Sequence, residues 1–261
     1  MTSTTHRPLL EFLDVTVRRG PNTALREVTL NIETGEHVAI LGPNGCGKST
    51  LIKTITRECY PMPGSQVQIM GRKLWNIFDL RAMLGIVSND LMALNTRELT
   101  GFEVVLSGFF SSIGIWPNHH VSTEMRESAR RVLQLLEAEH LADKPVCEMS
   151  SGEGRRVLIG RALVHDPKAL LLDEPSTSLD LTAQHELRGA VRRLAQSGIG
   201  IILVTHHLSD IVPEIDRIIL MKAGQIVADG PKREILTAER LRGLFGVEVE
   251  LAERDGYYHL W

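Results

Sequence analysis

The chain has 261 residues, 43% hydrophobic and 23% charged, with a formal net charge of −3. That composition excludes a disordered or low-complexity chain, and the near-neutral charge excludes a protein held mainly on DNA, RNA or an anionic bilayer, so no nucleic acid partner is expected. Cys46, Cys59 and Cys147 are odd in number and lack metal-ligand spacing, which excludes a disulfide framework and a zinc site and fits a reducing compartment.

Met1 to Pro8 are polar and carry no apolar segment, so no export signal is expected. Leu9–Val17 and Val28–Ile32 predict an antiparallel pair of entry strands. Val38–Leu41 is a continuous apolar run ending at Gly42, the pattern of a strand buried on both faces that leads into a tight turn. Gly85–Val87, Ala169–Leu172 and Gly200–Val204 read as further core strands. Met125, Ala129, Val132, Leu133 and Leu136 recur at helical spacing, as do Ala183, Leu187, Ala190, Val191 and Leu194, so both segments form amphipathic helices.

Residues 92–150 contain no strand pattern and read as an inserted helical lobe. The longest largely apolar stretch, Phe102–Trp116, is shorter than the ~20 residues needed to span a bilayer. After Ile218–Met221, Ala223-Gly224 marks a hairpin turn, and Val247–Trp261, with Asp255-Gly256 inside it, marks another. Strands alternating with helices give an α/β class, a mainly parallel sheet with an N-terminal antiparallel β subdomain and an inserted helical lobe. A single domain is expected over 1–261, with about 1–91 and 151–246 as core, about 92–150 as the lobe and 247–261 as a small strand extension.

Gly42-Pro43-Asn44-Gly45-Cys46-Gly47-Lys48-Ser49-Thr50 satisfies G-x-x-x-x-G-K-[ST] between a buried strand and a helical segment, the setting that motif requires. Its glycines let backbone N–H groups converge on an anion, and the following helix adds the positive end of its dipole. Lys48 supplies a point charge for the β- and γ-phosphates, Ser49 a hydroxyl for Mg²⁺, and Thr50 a contact to another phosphate oxygen. The plainer reading is a glycine-rich loop that only turns the chain. Cys46 is either a small loop filler or a thiol near Lys48 open to alkylation.

Ala169-Leu-Leu-Leu-Asp173-Glu174 supplies the second half of a P-loop NTPase core. A buried strand carries Asp173 to the sheet edge, where it binds Mg²⁺ directly or through water, and Glu174 polarises the attacking water as general base. An acid pair at a strand end is also a common helix cap, and Pro175-Ser176 fits a cap.

With these residues in place, the chain resembles the nucleotide-binding domain of ATP-binding cassette (ABC) transporters from about residue 9 to 246, and its segments Gly85-Ile-Val-Ser-Asn-Asp-Leu and Ser107-Gly-Phe-Phe-Ser-Ser-Ile-Gly look most like the molybdate and iron-complex importer ATPases. Met149-Ser150-Ser151-Gly152-Glu153 stands in the place of the LSGGQ signature, and Ser178-Leu179-Asp180 resembles the D-loop. His206, after Gly200–Val204 and Thr205, resembles the switch histidine, and Asn89, after Gly85-Ile-Val-Ser, stands in the place of the Q-loop glutamine. The resemblance implies a head-to-tail dimer, with a second copy of this chain or a homologous cassette, in which each ATP lies between one phosphate loop and the partner's signature. Ser150, Ser151, Gly152, Glu153 and Asp180 would then act in trans. It implies too that Lys48, Glu174 and His206 carry catalysis, that His206 holds Glu174 and the water in line at the γ-phosphate, and that Asn89 joins Ser49 and Asp173 at Mg²⁺. A lone histidine is otherwise a hydrogen-bonded core or surface residue.

Some positions depart from the family pattern. Arg18-Arg19-Gly20 stands where an adenine-stacking aromatic is usual, and the Arg19 guanidinium plane is the group available to stack. Asn89 is one methylene shorter than glutamine, Ser151 replaces a glycine, and Glu153 replaces the final glutamine of the signature. Phe102, Phe109, Phe110, Ile113, Ile115 and Trp116 form an apolar, aromatic cluster where the family docks its membrane subunit; packing within the helical lobe is the plainer reading. The implied function is the ATP-binding and ATP-hydrolysing subunit of an importer-type transporter. It would be peripheral at the cytoplasmic face of the plasma membrane and coupled to a separate permease docked near Asn89 and Phe109–Trp116. The alternatives are a soluble ABC-type ATPase without a membrane partner and an ATP-binding regulatory cassette with little turnover.

Overall fold

The alternating pattern near the start of the chain produces two long antiparallel strands, β1 (Pro8–Arg19) and β2 (Asn22–Glu33). In the computed structural model of the protein, residues 8–88 and 99–261 are described. They fall into two units, Met1–Leu80 with Gly200–Trp261, and Arg81–Ile199. In the first unit, Leu10, Phe12, Val15, Leu25, Leu30 and Ile32 bury one face of the β1–β2 ribbon. Its register shifts near Asp14 and Glu27, which sit at φ 50° and 48°. Thr29 Oγ1 and Thr16 Oγ1 accept from the Asp14 and Glu27 N–H groups, each at 3.1 Å, so two hydroxyls satisfy the amides at these bulges.

β3 (His37–Leu41) is buried from Val38 onward and runs into the glycine-rich loop, followed by α1 (Lys48–Ile55). A short strand, β4 (Gln66–Ile69), pairs with β1 to give the order β2-β1-β4. The sequence pattern does not announce it, because Gln-Val-Gln-Ile is too short for its alternation to stand out; β1 provides the edge that makes it a strand. The boundary between the units falls inside α2 (Ile77–Met83).

In the second unit, β5 (Leu84–Val87) and β6 (Ala169–Asp173) pair in parallel, with Leu84 opposite Ala169 and Val87 opposite Leu172. Between them lie α3 (Gly101–Leu106), α4 (Thr123–Leu135) and α5 (Ser151–Leu163), and α6 (Leu181–Gln196) follows β6. The expected apolar stripes face inward: Ala129, Val132 and Leu133 of α4, and Leu187, Ala190, Val191 and Leu194 of α6, are buried. Met125 and Ala183, in the first turns of those helices, are only half-buried. α5 packs on α3, α4 and α6.

The first unit resumes with β7 (Gly200–Thr205), β8 (Arg217–Lys222) and β9 (Gln225–Pro231). Their order is β7-β3-β8-β9, with β3, β7 and β8 parallel and β9 antiparallel. Ala223 and Gly224 make the β8–β9 turn at φ 49° and 82°, the left-handed pair that two-residue hairpins favour. After α7 (Lys232–Ile235) and α8 (Ala238–Phe245), the second expected hairpin forms as β10 (Leu251–Arg254) and β11 (Tyr257–Leu260), turning at Asp255 and Gly256. No helix among the described residues is long and apolar enough to cross a membrane.

Candidate active site

Within the first unit, β3 lies between β7 and β8, with Leu41 opposite both Thr205 and Leu220. The glycine-rich loop and His206 therefore leave adjacent strand ends at the same level, since Gly42 follows Leu41 and His206 follows Thr205. Glycine is required at Gly42, where a Cβ would lie 2.3 Å from the Met221 carbonyl oxygen. Gly47 sits at φ 112° and its Cβ would lie 2.8 Å from the Ala24 carbonyl oxygen. Gly224, at the β8–β9 turn, donates its N–H to Cys46 O at 2.8 Å and accepts from Arg26 N–H at 2.9 Å, so β2 and the hairpin turn both brace the loop.

Lys48 is 5% exposed and its Nζ donates to Gly42 O (2.7 Å) and Pro43 O (3.1 Å), which folds the ammonium back over the loop. α1 is preceded by Gly47 as its N-cap, with no side-chain cap and no acidic residue in its first turn. The opening N–H groups of that helix lack intrahelical acceptors and present a positive end, a fit for polyphosphate. Ser49 is exposed, whereas Thr50 is buried. Cys46, 4% exposed, packs inside the loop as a small filler. Arg19 is exposed at the end of β1, opposite Asn22.

Within the second unit, Asp173 ends β6 and Glu174 follows at φ 46°. A left-handed glutamate carries a backbone cost of order 1–3 kcal/mol, strain of the kind that collects at functional positions. Its carbonyl accepts from Thr177 N–H at 3.2 Å, turning the chain toward α6. The acid pair does not cap that helix; Asp180 does, accepting from Ala183 N–H at 2.8 Å. Arg155 on α5 is 1% exposed; burial lowers its guanidinium pKa and the Asp173 charge opposes that shift.

Ser150 caps α5 and Glu153 completes a capping box. Ser150 Oγ accepts from Glu153 N–H at 3.2 Å, and Glu153 Oε2 accepts from Ser150 N–H at 2.7 Å. Lys144 Nζ donates to both Glu153 carboxylate oxygens at 3.0 and 2.9 Å. The acid that replaces glutamine thus has a structural partner. A Cβ at Gly152 would lie 2.6 Å from the Ala183 Cβ, so this glycine permits the close approach of α5 and α6. Burial pushes the Glu153 carboxyl up, but Lys144 and the Ser150 groups outweigh it and hold it below the usual carboxylate range. A depressed carboxyl stabilises the fold above the ordinary carboxylate pKa and loses that contribution as pH falls through the lowered value. Glu153→Ala is expected to cost about 1–2 kcal/mol at neutral pH, measured by denaturant unfolding, with the gap to the parent narrowing in acid.

The family model described as ABC transporter matches residues 25–177. The chain belongs to the ABC transporter family. The uncharacterized ABC transporter ATP-binding protein YlmA of Bacillus subtilis (strain 168) is 32% identical over 248 residues, covering 93% of each chain. The hemin import ATP-binding protein HmuV of Plesiomonas shigelloides is also 32% identical, with 91% of this chain and 95% of HmuV covered. Among solved structures, the dimeric post-hydrolysis state of the ATP-binding cassette MJ0796, bound to ADP and Pi, matches with a TM-score of 0.69 at 28% identity, covering 85% of this chain and 98% of that one. As a member of this family the chain binds and hydrolyses ATP.

Other parts of the cassette carry the remaining expectations. Asn89 lies outside the described residues. The aromatic cluster is divided: Phe109 meets His165 edge-on at 4.9 Å and Phe110 stacks on His119 at 4.0 Å, whereas Ile113 and Trp116 are 40% and 45% exposed. Arg161 pins the intervening turn by donating Nε and Nη2 to Ser112 O at 3.3 and 2.9 Å. Sequence reasoning missed Gly224 as a brace of the phosphate loop, because the Ala223-Gly224 pair signals only a turn. It missed Lys144 as well, although the Ser150-x-x-Glu153 spacing was a visible capping-box signal.

Proposed function

We propose that this cassette is the ATP-hydrolysing subunit of an importer-type transporter, working as a head-to-tail homodimer coupled to a separate membrane permease. The observation that carries the reading is the β3–β7 register, which brings the Lys48 loop and His206 off neighbouring strand ends. HmuV, a hemin import protein, and the dimeric MJ0796 cassette support the importer and dimer parts. The chain acts as one domain, with residues 92–150 as the lobe that carries the partner-facing segments, and is peripheral at the cytoplasmic face of the membrane.

In this mechanism the N–H groups of residues 42–50 and the Lys48 ammonium hold the β- and γ-phosphates. Ser49 and Asp173, with Asn89 as the resemblance implies, would hold Mg²⁺ through hard oxygen donors, and the ion would neutralise phosphate charge there. Glu174 takes the proton of the attacking water, and His206 orients Glu174 and the water against the γ-phosphate. Ser150 and the N–H groups around Ser151, Gly152 and Glu153 at the start of α5 cap the partner's γ-phosphate, and the Asp180 segment lines the same junction. Arg19 stacks on the adenine. Ile113 and Trp116, exposed beside the Phe109–Phe110 packing, form the permease-docking surface.

Mixing Lys48→Ala chains with Ser150→Arg chains is expected to restore part of the ATPase activity that neither homodimer has, through one intact composite site. No recovery in demonstrated mixed dimers would count against sharing in trans. Affinity purification of the tagged protein from solubilised membranes is expected to carry along a polytopic subunit; recovery of an active ATPase from the soluble fraction alone, with no such subunit, would favour a soluble ABC-type ATPase.

A further inference from the structure

His206 sits in a short loop whose two ends are tied together by buried polar groups. Thr205, the last residue of β7, is 0% exposed, and Asp210, after one turn of 3₁₀ helix at Leu208–Asp210, is 6% exposed. Thr205 Oγ1 donates to Asp210 Oδ2 at 2.7 Å and accepts from His207 N–H at 3.0 Å. The hydroxyl has one proton, and the carboxylate takes it, so a lone pair is left for the amide. His207 O in turn accepts from Asp210 N–H at 3.3 Å. A charge-assisted hydrogen bond in so dry a setting is short and strong, and it closes a ring of chain around His206.

The fixed end of this ring is in register with the phosphate loop, since Thr205 lies opposite Leu41. On its other side, β11 packs against Leu208–Asp210. His206 is half-buried, its ring 3.8 Å from that of His207. We propose that Thr205 and Asp210 are a positioning pair for the reaction, holding the loop backbone so that His206 meets the γ-phosphate in line. The proposal rests on the reading of His206 as the switch residue. On the proposed reading nucleotide affinity comes from the Lys48 loop, whose ammonium is held by Gly42 O and Pro43 O and not by the pair, so loss of the pair lowers kcat and leaves ATP binding alone. A pair that merely stabilised the fold would lower the melting temperature without separating kcat from KM.

The test uses the full chain, with steady-state ATP hydrolysis, titration of a fluorescent ATP analogue and thermal melting on each variant. Thr205→Val, which keeps shape and removes both hydrogen bonds, is expected to lower kcat roughly 10-fold to 100-fold with the analogue's Kd within about 2-fold of the parent. Thr205→Ser is expected to restore most of the rate, and Asp210→Asn, which keeps an acceptor and can be studied if Thr205→Val folds poorly, to fall between parent and Asp210→Ala. His206→Ala separates the two layers. If it is inactive while Thr205→Val and Asp210→Ala turn over at the parental rate, the positioning role is overturned and the switch reading stands. If His206→Ala itself keeps the parental rate, both fall. Equal losses in Thr205→Val and Thr205→Ser, or loss of analogue binding along with kcat, would also overturn the positioning role.

Discussion

Glu174→Gln is expected to bind ATP as the parent does, to lose turnover by roughly 10²-fold to 10⁴-fold, and to accumulate as an ATP-bound dimer. The amide matches the carboxylate in size, so the turn at φ 46° and its hydrogen bond to Thr177 persist; what disappears is the ability to take a proton from water. Binding is expected to be untouched because the proposed phosphate holders are Lys48 and the first turn of α1, not Glu174. In the proposed dimer the γ-phosphate bridges one loop and the partner's Ser150, so without hydrolysis that bridge is expected to stay in place and keep the dimer closed. Size-exclusion chromatography with light scattering at saturating Mg·ATP, beside a phosphate-release assay, reads both effects. A variant that stays monomeric and hydrolyses at the parental rate would remove Glu174 from the role of general base.

Arg217→Ala is expected to lower stability by about 2–4 kcal/mol, a large share of what a single domain has. Arg217 forks onto Asp229 through Nε and Nη2, both at 2.7 Å, while Nη1 reaches Glu36 Oε1 at 3.0 Å and Asn31 O at 2.8 Å. One guanidinium thus ties β8 to β9, to the end of β2 and to the turn before β3. The hydrogen bond to Asp229 and the charges of Asp229 and Glu36 push its pKa up against the effect of burial, so the cation persists across the accessible pH range. Truncation leaves the Asp229 and Glu36 carboxylates without the cation both of them bind. Urea unfolding would register the loss as a lower midpoint with an unchanged slope. Arg217→Lys is expected to recover only part of it, because an ammonium cannot fork across Asp229 and Glu36 together. A loss under about 0.5 kcal/mol in Arg217→Ala would mean the network contributes no more than ordinary surface pairs.

Much of the site is legible in the sequence because its chemistry needs neighbouring residues. Residues 42–50 must follow one another for their N–H groups to converge, and Asp173-Glu174 must end an apolar run to emerge at a sheet edge. The parallel core, the stripes of α4 and α6 and both hairpin turns are equally local, set by side-chain period and by glycine beside a residue that tolerates positive φ. Less visible were the structural partners that particular site residues take up, even where those partners lie only three to nine residues away. Glu153 reads as an imperfect signature residue until Lys144 and the Ser150 amide are seen on its carboxylate. Asp180 reads as a D-loop acid until Ala183 N–H is found on it.

Local pattern alone therefore determines that this chain builds a phosphate loop on a buried strand, a pair of acids on another and a histidine at the end of a third. Only folding decides that Leu41 stands opposite Thr205, that Gly224 braces Cys46, that β4 joins β1, and that a buried Thr205–Asp210 bond closes the loop around His206. The reason is physical: period, spacing and turn chemistry are properties of adjacent residues, whereas strand register and hydrogen-bond partners across a sheet follow from which distant surfaces pack and exclude water together.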